Sequence, residues 1–193
     1  MRRLGISNIQ IAPLALGGNV FGWTADKKTS FEILDAFVDL GFKLIDTANI
    51  YSNWAPGNKG GESESIIGEW IKKSGKRDKV CIATKVGMQM IGFKGLARNQ
   101  IFRSVEASLM RLQTDTIDLY QAHEDDPETP LEETLGSFDQ LIKQGKVRVI
   151  GASNYGAERL DQSLLISQRL GIASYISLQP YYNLYEFFNR TII

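Results

Sequence analysis

Residues 44–52 read LIDTANIYS, and this stretch changes character after its first two residues. Leu44 and Ile45 are apolar, as expected of a short strand that is buried on both faces. Asp46 follows at once, and Tyr51 comes five residues later. A buried strand that ends in a carboxylate, with a phenol in the next loop, is a candidate functional site if neighbouring strands bring further polar groups to the same place.

Short apolar segments of this kind recur along the chain and alternate with longer amphipathic ones. The predicted strands are 11–18, 43–48, 79–87, 116–123, 146–154 and 174–182. The predicted helices are 30–41, 63–75, 99–113, 130–145 and 157–171. We expect Ser30 and Ser63 to cap the first two helices, and Gly41 and Gly75 to end them. This alternation predicts a parallel sheet with right-handed crossovers.

An alternation of strands and helices allows two architectures, an open doubly wound sheet or a barrel, and the loops distinguish between them. The first strand-to-helix loop, LGGNVFGW, does not match the G-x-G-x-x-G pattern of an open dinucleotide-binding sheet. Polar residues recur instead at the C-terminal ends of several strands, which is typical of a (β/α)8 TIM-type barrel. Before the first strand, the turn residues Ser7 and Asn8 separate two short extended pieces and predict a β-hairpin.

Composition excludes several classes of partner. The chain has 193 residues, 43% of them hydrophobic, which suits a single domain over residues 1–193. Its 22 basic and 22 acidic residues balance, so we expect no nucleic-acid or membrane partner. The N-terminus lacks the apolar core of a secretory signal. Cys81 is the single cysteine and lies in an apolar run, so we expect it to be buried and the protein to be cytoplasmic.

Three successive strands end in groups that suit one kind of chemistry. Asp46 ends the second strand and Tyr51 follows in the loop beyond it. Lys85 ends the third strand, and His123, the single histidine, ends the fourth. In a parallel barrel these ends share one rim. An ammonium beside Tyr51 would lower the phenol pKa from ~10, and a carboxylate would pair the buried lysine. A neutral histidine would orient a substrate carbonyl. The set predicts a general acid for carbonyl reduction.

Each of these residues also has a purely structural interpretation. Asp46 could cap the following turn, Lys85 could be a solvated charge, Tyr51 a rim tyrosine and His123 a hydrogen-bonded core histidine. Their occurrence together at successive strand ends favours function. A Schiff base on Lys85, as in an aldolase or isomerase, stays open as an alternative. One histidine with scattered carboxylates lacks the spacing of a metal site, so we expect no metal.

The sequence resembles the aldo-keto reductases, in particular the bacterial members similar to potassium-channel β subunits. The resemblance runs from residue 3 to about residue 186, in the order of the family. Its matching stretches are LALGGNVFGW, IDTANIYS, GGESESIIGEWI, ATKVG, LYQAHEDDPETPLEETL, GKVRVIGASNY and SLQPYYNLYE.

The resemblance implies an activity and roles for individual residues. Tyr51 would donate a proton to the oxygen of a small aldehyde or ketone, Lys85 and Asp46 would tune it, and His123 would orient the carbonyl. The implied cofactor is NADPH, bound without a Rossmann domain. The residues that would hold it are Asn19, Ser153, Asn154 and Gln179.

The resemblance also implies that the barrel is incomplete. A full (β/α)8 barrel takes roughly 250 residues, so about six of its eight units are expected here, without strands seven and eight. Residues 187–193, FFNRTII, depart from the charged helix of the family, and we expect a C-terminal truncation. A homo-oligomer could then cover the open barrel edges. The alternative function is a non-catalytic fragment, or a regulatory or binding subunit that retains the four site residues.

Overall fold

An antiparallel hairpin opens the chain, as predicted. In the computed structural model, which describes residues 1–183, β1 (Arg2–Arg3) pairs with β2 (Gln10–Ile11). The side chain of Ser7 stabilises the turn, because its hydroxyl donates to the Leu4 carbonyl at 2.7 Å and accepts from the Ile9 amide at 3.1 Å. Residues 187–193, on which the predicted truncation partly rests, lie outside the described residues.

Six parallel strands form the sheet that follows, and they are ordered as in the sequence. The strands are β3 (Ala15–Gly17), β4 (Leu44–Asp46), β5 (Cys81–Val86), β6 (Ile117–Ala122), β7 (Val147–Ser153) and β8 (Tyr175–Gln179). The helices between them are α1 (Lys27–Asp39), α2 (Glu62–Ser74), α3 (Arg98–Leu112), α4 (Leu131–Lys143) and α5 (Ala157–Leu170). The sheet curls as part of a (β/α)8 barrel, which confirms the predicted fold class.

The predicted N-terminal caps of the first two helices are wrong. Helix α1 begins three residues earlier than expected, because the extended residue Asp26 caps it through a hydrogen bond from the Thr29 amide to Asp26 Oδ1 at 2.8 Å. Helix α2 follows Gly61, which has a φ of 91° and no capping side chain. Ser30 and Ser63 both lie inside their helices, fully buried. Gly75 ends α2 in the left-handed conformation, as predicted.

Burial is greatest in the middle of the sheet. All residues of β5 and β6 are buried, and three large buried side chains, Trp70, Tyr120 and Phe138, lie in the layer between sheet and helices. The outer strands differ: Ala15 and Gly17 of β3 are exposed, and most of β8 is only partly buried. The strand edges, rather than the centre, are therefore the open parts of this fold.

The single cysteine behaves as the sequence predicted. Cys81 is buried, and burial raises the pKa of its thiol to about 12. A thiol with such a pKa carries almost no thiolate at neutral pH, so this cysteine is a packing residue. In the part of the chain that the structure describes, no helix has the length and apolarity needed to cross a bilayer.

Candidate active site

Lys85 lies at the centre of the predicted cluster. Its side chain is 1% exposed, at the C-terminal end of β5. Its Nζ donates to Asp46 Oδ2 at 2.8 Å, to the Thr47 carbonyl at 2.9 Å and to the Tyr51 hydroxyl at 2.8 Å. An ammonium has three hydrogens, so every one of them has an acceptor. The charge is therefore buried, paired and fully hydrogen-bonded, as a buried charge must be.

The strand register explains why Asp46 and Tyr51 reach Lys85. Asp46 pairs with Ala83, two residues before Lys85 on the neighbouring strand. Beyond the end of β4 the chain stays beside β5, because the Thr47 amide donates to the Ala83 carbonyl and the Asn49 amide donates to the Lys85 carbonyl. The next turn brings Tyr51 back over the end of the strand, within hydrogen-bond distance of Lys85.

His123 adjoins this cluster from β6. Its amide donates to the Val86 carbonyl at 2.8 Å, and its ring centre lies 5.9 Å from that of Tyr51 in an edge-to-face arrangement. Burial, helped by the charge of Lys85, lowers the pKa of His123 to about 3, so the ring is neutral at pH 7 as expected. Its Nδ1 is buried and has no hydrogen-bond partner among the described residues. The imidazole can therefore bind a further polar group.

The direction of the Tyr51 pKa corrects the sequence-based expectation. Burial, followed by the negative charge of Asp46, raises this pKa above the usual value for tyrosine. We expected the ammonium of Lys85 to lower it, but desolvation of the phenolate and the nearby Asp46 carboxylate both act in the opposite direction. Burial also lowers the pKa of Lys85, while Asp46 opposes this shift. Tyr51 is thus a neutral hydroxyl at pH 7 and retains a proton to donate.

Three of the predicted cofactor residues adjoin the same cluster. Asn154 Nδ2 donates to the His123 carbonyl at 2.9 Å, and Ser153 Oγ donates to the Gln179 carbonyl at 2.9 Å. The Gln179 side chain donates to Asp46 Oδ2 at 3.3 Å. Asn154 and Gln179 are exposed, so their amides line the open rim beside the buried groups.

Asn19 lies on the other side of the cluster, in the loop after β3. Its carbonyl accepts a long hydrogen bond from Ser52 Oγ at 3.4 Å, so it borders the loop that carries Tyr51. In the described part of the chain, no hydrogen bond joins its side chain to Ser153, Asn154 or Gln179. The structure therefore brings three predicted cofactor residues together and leaves the fourth apart.

Sequence reasoning missed several polar residues that complete the site. Gln121 Nε2 donates to Gln179 Oε1 at 3.1 Å, and the two-residue alternation along β6 from His123 would have indicated that it faces inward. Ser63, predicted as a cap, instead donates to the Gly18 carbonyl at 2.7 Å and contacts Thr47 Oγ1 at 2.8 Å. No local sequence signal identifies that contact.

Aromatic side chains border Tyr51 on its open side. The rings of Trp23 and Trp54 meet edge to face with centres 5.8 Å apart, and the Trp54 ring centre is 6.1 Å from that of Tyr51. Trp23 is 51% exposed and Trp54 48% exposed. Within residues 1–183 there is no cluster of three His, Cys, Asp or Glu side chains suited to a metal ion.

Comparison with known proteins agrees with this fold. The Aldo/keto reductase family matches residues 13–193, and the chain belongs to that family. It is 42% identical to Aldo-keto reductase YhdN of Bacillus subtilis (strain 168) over 183 residues, covering 93% of this chain and 51% of that protein. It is 38% identical to Uncharacterized oxidoreductase YrpG of the same strain over 191 residues, covering 95% of this chain and 58% of that protein.

A shorter relative matches part of the chain more closely. The Uncharacterized 11.2 kDa protein in crtE 3'region of Pseudescherichia vulneris is 53% identical over 91 residues, covering 47% of this chain and 88% of that protein. Against the two longer relatives, the present chain spans somewhat more than half of their length.

Proposed function

We propose that this protein reduces aldehydes or ketones to alcohols with NADPH, and that Tyr51 is the proton donor. The observation that carries the proposal is the hydrogen-bonded set at the barrel rim, in which Lys85 Nζ lies 2.8 Å from both Asp46 Oδ2 and the Tyr51 hydroxyl. A buried acid with a saturated ammonium beside it suits proton transfer to an oxygen, and it offers no nucleophile for acyl transfer.

The residues present fit a nicotinamide. A carboxamide requires one donor and one acceptor, and the exposed amides of Asn154 and Gln179 provide both beside Ser153. These residues, with Asn19 across the rim, would hold the cofactor. When bound, NADPH supplies a hydride to the substrate carbon.

Tyr51 supplies the proton. Its oxygen accepts a hydrogen bond from Lys85, and its own hydrogen is shared with Asp46. We propose that the carbonyl oxygen of the substrate accepts this hydrogen during the reaction. As charge develops on that oxygen, the proton passes from Tyr51 to give the alcohol. The phenolate left behind lies within hydrogen-bond distance of the Lys85 ammonium, which stabilises it. The raised pKa of Tyr51 keeps the donor protonated before the reaction.

His123 would orient the substrate. A neutral imidazole donates a hydrogen bond from only one of its two nitrogens. Because Nδ1 has no hydrogen-bond partner among the described residues, no group of the protein fixes whether this atom donates or accepts. The exposed edge-to-face pair of Trp23 and Trp54 would pack on the apolar part of the aldehyde or ketone.

We also propose that a second copy of the chain covers the open edges of the sheet. The exposed residues of β3 and the partly buried β8 support this, since unpaired edge strands favour pairing with another chain. Light scattering of the purified protein tests it, and a monomeric mass over a wide concentration range would contradict it.

Cofactor binding is the first test of the proposed reaction. Nicotinamide fluorescence is followed while NADPH is added to the purified full chain, with NADH in a parallel titration, and a panel of aldehydes and ketones is then added. We expect saturable NADPH binding and carbonyl-dependent oxidation of NADPH.

The outcomes distinguish a carbonyl reductase from a non-catalytic subunit. Binding without turnover on any carbonyl would favour a regulatory or binding subunit that retains the site residues. A folded protein that binds neither nucleotide would contradict the proposal.

A further inference from the structure

Glu64, in the first turn of α2, is a buried carboxylate that the proposed reaction does not use. Its side chain is 0% exposed. Glu64 Oε1 accepts from Thr84 Oγ1 at 2.6 Å, and Oε2 lies 2.7 Å from both Nε and Nη2 of Arg111 on α3. The charge is thus removed from water and held from two sides.

The position of Glu64 places it directly behind Lys85. Thr84 precedes Lys85 on β5, and side chains alternate between the faces of a strand. Thr84 therefore faces the helix layer, while Lys85 points into the barrel. Through its hydrogen bond to Thr84, Glu64 holds the strand at the residue next to Lys85, from the outer side of the barrel wall.

The neighbouring residue of α2 holds the other segment that borders the ammonium. Ser63 Oγ donates to the Gly18 carbonyl and accepts from Thr47 Oγ1 at 2.8 Å, while the Thr47 carbonyl accepts from Lys85 Nζ. Ser63 and Glu64 therefore fix both stretches of backbone beside Lys85 from a single helical turn.

The α2–α3 contact is shaped around the partner of Glu64. A Cβ at Gly61 would lie 2.5 Å from Arg111 Cδ, and a Cβ at Gly68 would lie 2.0 Å from the Arg111 carbonyl oxygen. Two glycines thus make room for Arg111. Because a buried ion pair often stabilises a fold no better than apolar side chains of similar size, stability alone is a weak explanation for this arrangement.

Electrostatics gives Glu64 a second effect on Lys85. The negative charges of Asp46 and Glu64 both favour the ammonium over the neutral amine, against the effect of burial. The other titratable groups around Lys85 are Tyr51 and His123, and both are neutral at pH 7. Arg111 lies behind Glu64 and opposes it.

We propose that Glu64 is a positioning residue for the Lys85 ammonium, acting through the barrel wall by its charge and by its hydrogen bond to Thr84. The role of Lys85 in catalysis rests on the proposed function. The placement and charge state of Lys85 do not, and they can be measured without turnover.

The direct test is an NMR titration of lysine Nζ in the full-length protein, with the Lys85 signal assigned by its loss in Lys85→Met. Glu64→Gln keeps the size of the side chain and removes its charge, so we expect the Lys85 amine to titrate at lower pH than in the wild type. Glu64→Asp, which retains the charge, should restore most of the wild-type titration.

The matched control is Asp118→Asn. Asp118 is also a buried carboxylate paired with arginine, and it bonds to the same strand, at the Ile82 amide. We expect this control to leave the Lys85 titration unchanged. An unaltered titration in folded Glu64→Gln, or an equal shift in Asp118→Asn, would overturn the proposal.

A loss of folding in Glu64→Gln would be bypassed by Glu64→Met combined with Arg111→Met, since replacing both members of a buried pair leaves no isolated charge. A fall in the same direction, but smaller, is expected there, because the opposing charge of Arg111 is lost as well. Its absence also overturns the proposal.

Kinetics then separates positioning from general stability. If the wild type turns over, Glu64→Gln should lower kcat roughly tenfold with little change in KM, and the alkaline limb of the kcat profile should move to lower pH. A wild type without turnover, but with the expected Lys85 titration, would contradict the proposed function and leave the inference on Glu64 standing. An unchanged pH profile in an active Glu64→Gln would count against it.

Discussion

The two ends of the barrel wall both contain buried charges, but they satisfy them differently. At the C-terminal end, Lys85 is saturated by its three acceptors, whereas His123 Nδ1 has no partner among the described residues. At the N-terminal end, Asp118 accepts from Arg77 and from the Ile82 amide on one oxygen and from Arg148 on the other.

The two ends differ in whether their hydrogen-bonding groups are fully used by the protein. The Asp118 network is closed, because both carboxylate oxygens bond to groups of the protein. The Lys85 cluster is open, because a neutral imidazole and a protonated phenol each retain capacity for a ligand. Barrel enzymes place catalysis at the C-terminal ends of the strands and stability at the other end, and the hydrogen bonding here follows that division.

Tyr51→Phe is expected to have the largest effect, and it tests the proposed role of the Lys85 cluster at the C-terminal end. Loss of the acid should lower kcat for carbonyl reduction by roughly 10²–10⁴-fold. Stability should fall by about 1–3 kcal/mol, since the buried Lys85 ammonium loses one of its three acceptors. Steady-state kinetics and urea unfolding measure both. The matched control is Tyr175→Phe, a buried tyrosine in the helix layer beside Phe138, and kinetics unaffected by Tyr51→Phe would refute the assigned acid.

Asp118→Ala tests whether the Asp118 network at the N-terminal end stabilises the fold. The two arginines and the Ile82 amide lose their buried acceptor, so the free energy of unfolding should fall by about 1.5–3 kcal/mol. We expect NADPH affinity of the remaining folded protein to be unchanged. Urea unfolding checks the first statement, with Asp115→Ala, an exposed carboxylate nearby, as the control. Equal effects of the two substitutions would show that the Asp118 network is not structural.

The titration of His123 should make the stability of the protein depend on pH. Its pKa is about 3 in the folded protein against 6.5 when unperturbed, so the unfolded state binds the extra proton between these values. Stability therefore falls as pH decreases through 6.5 toward 3, and the contribution of His123 to this loss should be about 2 kcal/mol at pH 5. Urea unfolding at pH 7 and pH 5 measures it.

The control for that titration is a neutral side chain at the same position. His123→Asn should lose less stability than the wild type over the same pH interval. If both proteins lose stability equally, the His123 ring is not held neutral by the fold.

The smallest expected effect concerns the open rim. Gln179→Ala removes an exposed amide that donates to Asp46 and that we propose also binds the nicotinamide. The Kd for NADPH should therefore rise by roughly fivefold, which corresponds to about one hydrogen bond. Fluorescence titration measures this change. Gln168→Ala, an exposed glutamine on α5, should leave the Kd unaltered. A Gln179→Ala protein with wild-type affinity would remove this residue from the proposed cofactor site.

Part of this molecule follows from patterns that are local in the chain. The alternation of buried and amphipathic segments predicts the parallel sheet, and the positions of Asp46, Lys85 and His123 at strand ends predict that they meet. The helix starts were predicted less well. Ser30 has the right residue type for a cap, yet the extended backbone at Asp26 decides where α1 begins.

The class of fold could be predicted from the sequence, and so could the positions of the four candidate residues at or just beyond strand ends, because periodicity and strand ends are properties of neighbouring residues. The burial of Glu64, the contact of Ser63 with Thr47 and the raised pKa of Tyr51 required the three-dimensional packing. Desolvation and charge pairing depend on which distant segments pack together. The same carboxylate, hydroxyl or phenol can therefore be an exposed group or a buried one, and no local pattern distinguishes the two.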